Sequence, residues 1–140
     1  MLVQAFIKTA LIYLVLGVVL GGFLLADKGV GLFNELWELR PLHIEWLLLG
    51  WMLQLALGGA TWIMPRPHDW VPHKILGWLS YALLNSGLLL STLAHLTHAW
   101  SSDGNVNWSF ILAAIAEVSG VLCFGIYIWS RASFAPPKPL

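Results

Sequence analysis

The chain is poor in charged residues. Only 10% of its 140 residues are Asp, Glu, Lys or Arg, whereas a soluble domain carries about 25%. This low share excludes an ordinary soluble protein. The seven basic side chains are balanced by seven acidic ones, so the chain lacks the excess of positive charge with which proteins bind nucleic acid. We therefore expect no nucleic-acid partner.

Cysteine is nearly absent. Cys123 is the only thiol in the sequence, and it lies within an apolar run. A disulfide within one chain needs two cysteines, and a cysteine-based zinc site needs several. A metal site in this protein would therefore use histidine or carboxylate ligands.

Long apolar runs make up most of the sequence, of which 59% is hydrophobic. A bilayer core about 30 Å thick is crossed by roughly 20 apolar residues of helix. Four runs meet this requirement, at about residues 3–25, 42–64, 75–96 and 108–129. We predict one all-α domain, residues 1–140, that forms a four-transmembrane-helix bundle in the lipid bilayer.

The basic residues predict how the bundle is oriented. Five of the seven lie at the amino-terminal end, in the loop after the second span and in the tail: Lys8, Arg66, Lys74, Arg131 and Lys138. By the positive-inside rule, both termini are cytoplasmic, and we expect a multi-pass protein of a bacterial inner membrane. The same rule assigns most carboxylates, including Glu45, to the outer side.

Prolines and an amphipathic segment mark the ends of the second span. Pro41 is suited to the first turn of a helix, whereas Pro65 and Pro67 would end one. Residues 31–37, before this span, mix apolar and acidic side chains, which predicts a short helix on the outer surface.

Polar and small residues form a stripe along the second span. At 100° per residue, one helix face carries His43, Gly50, Gln54, Gly58 and Thr61. One interpretation is close helix packing, which small residues permit. The other is a flat slot for a porphyrin below a metal-ligating histidine.

The third span also has one polar face, formed by Tyr81, Asn85, Thr92 and His95, with His98 three residues further on. The second span begins on the outer side and the third ends there, so His43, His95 and His98 are expected at similar depth. Imidazole nitrogen is a common ligand of metals and of haem iron. These histidines are therefore candidate ligands.

Glu117 lies near the middle of the fourth span. A bare carboxylate at that depth is costly, so we expect it to be protonated or paired with Asn85, Gln54 or a bound cation. One interpretation is a proton relay or metal ligand. The other is a protonated acid that joins two helices by a hydrogen bond.

The second span carries a family resemblance, in residues 40–51 (RPLHIEWLLLGW) and 58–66 (GGATWIMPR). It resembles the second transmembrane helix of haem–copper oxidase subunit I, especially in the cbb3-type oxidase and nitric-oxide reductase branches. The resemblance implies that His43 ligates a low-spin haem b and that Arg40 meets the haem propionates.

The resemblance is confined to one helix of four. Family members have many more helices, and the ligands of their copper and high-spin haem lie on those later helices. The chain is therefore not expected to be a complete oxidase by itself. The pseudo-symmetry of the family's helices implies that copies of this chain would imitate the larger arrangement, so we expect a homo-oligomer, either a trimer or a dimer.

The sequence thus predicts a small b-type haem protein that transfers electrons with a redox partner or binds a diatomic gas, NO or O2. Gly50 and Gln54 would line the haem slot. The second axial ligand would be His95 or His98 of the same chain, or a histidine of a neighbouring copy.

Two alternatives stay open. One is a cofactor-free accessory or assembly subunit of a membrane complex. The other is a copper or zinc site formed by His43, His95 and Glu45. Because Glu45 lies about 200° around the helix from His43, these two side chains are not expected to converge.

Overall fold

The computed structural model describes residues 1–31, 34–64, 71–100 and 108–133, with side chains for 1–31, 36–64, 74–97 and 108–131. The side chain of His98 and the tail after residue 133 therefore lie outside the described residues. Within the described ranges the secondary structure is helical, and no strand is present. The predicted all-α class is confirmed.

Four helices are long and apolar enough to cross a membrane: Leu2–Val30, Leu36–Ile63, Lys74–Thr97 and Trp108–Arg131. Three of them lie in single helices, α1 (Leu2–Val30), α4 (Val71–Trp100) and α5 (Trp108–Ser133). Many large apolar side chains remain exposed on the bundle, as contact with lipid requires. The four predicted spans are confirmed, although the second begins about six residues earlier than expected.

The second span is a composite helix. A 3-10 helix, Asn34–Leu39, leads into α2 (Arg40–Glu45), a π-helix (Trp46–Leu53) and α3 (Gln54–Ile63). Pro41 stands in the first turn of α2, as predicted. Where a surface helix was expected over residues 31–37, residues 34–37 belong to a 3-10 helix continuous with the span, and residues 32 and 33 lie outside the described residues.

The second span ends where its prolines predict. Met64 is extended, with φ −72° and ψ 138°, which is the conformation that the following Pro65 favours.

The first span ends at Gly31. Gly31 closes α1 with φ 66°, a left-handed conformation that suits glycine, and its N–H donates to the carbonyl of Asp27.

Glycines let α1 approach the second span closely. Gly17 lies against Leu47, and Gly21 lies against the ring of His43. A Cβ added at Gly50 would stand 2.5 Å from Cγ of Tyr13. Both helices therefore use glycine at their contact, as the Gly17-x-x-x-Gly21 spacing predicts.

The other side of the core joins α1 to α4 and α5. Phe6, Leu84, Phe124 and Tyr127 are buried together. The Phe6 ring meets Phe124 edge to face, with ring centroids 6.0 Å apart. These contacts fix the three helices at the end of the bundle where α1 begins and α5 ends.

Arg131 is buried where α5 passes the end of α3. Its guanidinium donates to the carbonyls of Thr61 at 3.2 Å and Met64 at 2.6 Å, and to the Tyr127 hydroxyl at 2.7 Å. Carbonyls at the end of a helix lack partners within the helix. Arg131 therefore caps α3 as well as adding a basic charge to this end of the bundle.

Adding a methyl group at Gly50 tests the contact between α1 and the second span. Gly50→Ala forces the substituted Cβ onto the Tyr13 ring and is expected to lower the free energy of unfolding by about 1–3 kcal/mol. Gly59→Ala is the matched control, because no atom lies within 4 Å of a Cβ there. Thermal unfolding in detergent, followed by circular dichroism, measures both. Equal effects of the two substitutions would contradict this packing.

Removing the charge of Arg131 tests the cap. Arg131→Met leaves two carbonyls and one hydroxyl without their donor and is expected to cost about 1.5–3 kcal/mol of stability. Lys8→Met, at an exposed position of α1, is expected to change stability by less than about 0.5 kcal/mol. Chemical unfolding of both variants in mixed micelles makes the comparison, and similar losses would argue against the cap.

Candidate functional site: a polar interface within the bundle

The polar face of α4 turns toward α1 and the second span. The Tyr81 hydroxyl shares a 2.7 Å hydrogen bond with that of Thr9. One turn further along, Asn85 meets Gln54, and near the other end the indole N–H of Trp46 donates to Thr92 at 3.0 Å. We call these contacts the polar interface. The prediction that the polar residues of the third span share one inward face is confirmed.

The centre of the polar interface is an amide pair. Nε2 of Gln54, a fully buried residue, donates to Oδ1 of Asn85 at 3.2 Å. Nδ2 of Asn85 lies 3.5 Å from Oε1 of Gln54 and 2.8 Å from the carbonyl oxygen of Tyr81, to which it donates. The two amides therefore satisfy one another. Of the alternatives expected for Glu117, pairing with one of these amides is therefore not the one that the described side chains adopt.

Glu45 points into the bundle. The Ser91 hydroxyl donates to its Oε2 at 2.5 Å, and Nε2 of His95 lies 3.7 Å from the same oxygen. The ring of His95 in turn packs edge to face against Phe110 of α5, with centroids 4.9 Å apart. Charge counting assigned Glu45 to the outer side, but its side chain is held between helices of the bundle.

Glu117 meets the same region from α5. Its Cγ lies 2.6 Å from where a Cβ of Gly87 would stand, so the glycine provides the space for this side chain. Its carboxyl group is close enough to that of Glu45 to interact with it electrostatically. Oε1 of Glu117 is buried and has no hydrogen-bond partner among the described residues. We call Glu45 and Glu117 the carboxyl pair.

His43 lies on another face of the second span. Its Nδ1 is 2.8 Å from the carbonyl oxygen of Gly17. Because a carbonyl can only accept, Nδ1 carries the proton, and Nε2 is left with its lone pair. Arg40, which precedes His43 by about one turn, is exposed, with its guanidinium 5.1 Å from the ring centre of Trp37.

The glycine stripe of the second span packs against α1. The space beside Gly50 is filled by Tyr13, and that beside Gly58 by Phe6 and Ile7. This contact is the helix packing that one interpretation of the stripe predicts. A porphyrin has no slot there while these side chains keep their positions.

The two described histidines of the predicted ligand set face different ways. His43 contacts α1, whereas His95 contacts Glu45, which lies about 200° from His43 around the second span. The residues of one protomer therefore do not fit a haem held between His43 and His95. His98, the alternative second ligand, has its side chain outside the described residues.

A metal site is not assembled by the side chains that the structure describes. Among them, no group of three or more His, Cys, Asp or Glu is placed to hold a metal ion. Glu45 approaches His95, while its place on the helix turns it away from His43. The copper or zinc alternative that combined all three residues is therefore not supported.

The sequence did contain a signal for the carboxyl pair's surroundings. Gly87, Ser91 and His95 follow one another at intervals of four residues, which aligns them along α4. All three meet a glutamate of another helix. Charge counts gave no such signal for the glutamates themselves, because they do not show in which direction a side chain points from its helix.

Comparison with known proteins finds no matching family, no similar curated protein and no similar solved structure. The resemblance of residues 40–66 to haem–copper oxidase subunit I therefore stays a prediction. The function of the chain has to be inferred from its own side chains.

A double-mutant cycle tests the amide pair. Gln54→Leu and Asn85→Leu each leave a buried amide without its partner, so the double variant should lose less stability than the sum of the single losses. Hydrogen bonds between membrane helices give coupling energies of about 0.6 kcal/mol, up to about 1.7. Gln54→Leu combined with Ser86→Ala, at an exposed position, should be additive. Additivity in both cycles would show that the pair does not form.

Proposed function

We propose that the chain is a small haem b-binding membrane protein in which His43 is the axial ligand. Its role would be electron transfer or the binding of NO or O2. The single observation that supports this proposal best is the hydrogen bond from Nδ1 of His43 to the carbonyl of Gly17. The resemblance of residues 40–66 supplies the identity of the cofactor.

The hydrogen bond prepares His43 for ligation. A metal-bound histidine commonly donates its second ring N–H to a carbonyl, which fixes the tautomer and the ring orientation. Here the Gly17 carbonyl takes the Nδ1 proton. Nε2 has no hydrogen bond to a described residue, and it is not fully buried. In the proposed site, the lone pair of Nε2 would bind the iron.

In the proposed site, the second axial ligand would not come from the contact between His43 and α1. Within one protomer His95 faces Glu45 instead of His43. A histidine of a neighbouring copy would complete a bis-histidine site, which favours electron transfer with a redox partner, whereas a single ligand would leave iron open to a gas. The haem supplies the redox chemistry, and the protein holds and orients it. The proposed assembly is a homo-oligomer, a dimer or a trimer.

The proposal also includes a partner for the haem propionates and an orientation in the membrane. Arg40 is exposed about one turn before His43, so its guanidinium is the group that would pair with haem propionates. The proposed orientation has both termini in the cytoplasm, which the distribution of Lys and Arg supports, and the proposed location is a bacterial inner membrane.

A second candidate is a cofactor-free accessory or assembly subunit. It is favoured by the packing of the glycine stripe, where Tyr13, Phe6 and Ile7 already occupy the hollow next to Gly50 and Gly58. In that case His43 joins α1 to the second span through its hydrogen bond, and the exposed apolar surface docks onto a larger membrane complex.

Absorption spectra separate the two candidates. We expect protein purified from haem-supplied cells to show a Soret band, with sharp α and β bands on reduction. His43→Ala should remove these bands, because it removes the axial nitrogen. His95→Ala should retain them, because His95 faces the carboxyl pair.

The outcomes are distinct. A colourless, folded wild-type protein would reject haem binding and leave the accessory subunit. An unchanged spectrum of the His43→Ala variant would reject the assignment of this ligand. Loss of the spectrum in His95→Ala or His98→Ala would identify that histidine as the second ligand, supplied by the same protomer or by a neighbouring copy.

A further inference from the structure

We propose that the π-helix Trp46–Leu53 is a register joint: it takes up one residue that the facing helix α4 lacks, and it thereby sets the direction in which the preceding part of the second span points. The joint lies between α2, which carries His43, and α3, which begins at Gln54. The proposal does not depend on the presence of haem or on the charge of any group.

The local sequence does not explain the π-helix. Residues 46–53 read WLLLGWML and contain no proline. Leucine and methionine, which make up most of this segment, favour a regular α-helix. A π-helix closes its hydrogen bonds over five residues instead of four, is rare, and occurs mostly as one wide turn within an α-helix. Contacts that fix the second span on either side of the segment therefore hold it in this form.

The hydrogen bonds to α4 show that the segment holds one residue too many for a regular helix. Gln54 bonds to Asn85 after the π-helix, and Trp46 bonds to Thr92 at its start. Gln54 follows Trp46 by eight residues, which on a regular α-helix places the two side chains about 80° apart. With one residue fewer the angle is about 20°, so that both side chains face α4.

Glu45 leads to the same conclusion. Its side chain accepts a hydrogen bond from Ser91 of α4, and it precedes Gln54 by nine residues. On a regular α-helix these two side chains would point in opposite directions, about 180° apart, whereas one residue fewer reduces the angle to about 80°. Asn85, Ser91 and Thr92 all belong to the continuous helix α4. The extra residue is therefore in the second span.

Glycine gives the wide turn its room. Gly50 lies within the π-helix, and a Cβ there would stand 2.5 Å from Cγ of Tyr13. Leu47 packs into the space beside Gly17 of α1. Leu48, by contrast, is about half exposed on the surface of the bundle. The joint thus contains a residue whose side chain can be removed with little loss of buried contact.

The register joint sets the direction of His43. With the extra residue taken up, His43 lies about 80° from Gln54 around the span and meets the Gly17 carbonyl of α1. If the same residues formed a regular α-helix, His43 would turn by about 100° relative to Gln54. Conversion between the two forms rotates the part of the span before the joint while Gln54 keeps its place.

Single-residue deletions test the joint. Leu48 in the π-helix and Leu89 in α4 are 49% and 60% exposed, and each lies between the two hydrogen bonds that join the spans. Deletion of Leu48 should leave a regular α-helix with both bonds in place, so its thermal unfolding in detergent should match that of Leu48→Ala. Deletion of Leu89 should rotate one part of α4 against the other by about 100° and should lower the unfolding temperature well below that of Leu89→Ala.

Solid-state NMR of the protein in lipid bilayers supplies the structural measurement. We expect through-space correlations between the Trp46 indole and Thr92, and between the side-chain amides of Gln54 and Asn85. Both correlations should appear in the wild type and in the Leu48 deletion. The Leu89 deletion should lose at least one of them.

Several results would overturn the proposal. One is wild-type protein without one of the two correlations, which needs no variant to fold. Another is a Leu48 deletion that fails to fold, unfolds as readily as the Leu89 deletion, or folds with one correlation lost. A Leu89 deletion as stable as Leu89→Ala would also reject it, because α4 would then tolerate the same loss. Because none of these readouts involves haem absorption, failure here is distinguishable from failure of the haem proposal.

Discussion

The structure depends on hydrogen bonds between the polar side chains that lie inside the bilayer. Lipid offers no hydrogen bonds, so an inward hydroxyl, amide or carboxyl group is stabilised by a partner within the protein, on its own helix or on a neighbouring one. The polar interface provides such partners at successive depths along α4, through three contacts: Tyr81 with Thr9, Asn85 with Gln54 and Thr92 with Trp46. Ser91 adds a fourth contact, with Glu45. Together these contacts orient α4 against α1 and the second span.

Close approach of the helices is the second condition, and glycine supplies it. Gly50 and Gly21 let α1 lie directly on the second span, which brings His43 within hydrogen-bonding reach of the Gly17 carbonyl. Gly87 does the same between α4 and α5 for Glu117. Within the second span, His43 faces α1 and Glu45 faces α4, so the two side chains lie on different faces of one helix.

Much of the fold could be predicted from the sequence because span length and hydrophobicity decide it. The inward face of α4 was also predictable, since a regular helix repeats its faces every few residues and Tyr81, Asn85 and Thr92 follow that repeat. The position of Glu45 was not. Charge counts assign a carboxylate to a side of the membrane, but they do not show in which direction its side chain points from the helix.

The second span shows a further limit of sequence reasoning. The π-helix Trp46–Leu53 departs from 100° per residue, so faces drawn through it from His43 to Thr61 are approximate. Gly50 and Gly58 still meet α1, whereas Gln54 bonds to Asn85 of α4. Arg131 was counted only for its charge, because its contact with the carbonyls of Thr61 and Met64 joins distant parts of the chain. Haem binding stays a prediction drawn from the resemblance.

Solid-state NMR of ¹³C-glutamate-labelled protein in lipid bilayers tests the central claim, that Glu45 turns inward to meet Glu117, most directly. The account predicts a through-space correlation between two side-chain carboxyl carbons that disappears on Glu117→Gln. Absence of this correlation in the folded wild-type protein would contradict the account.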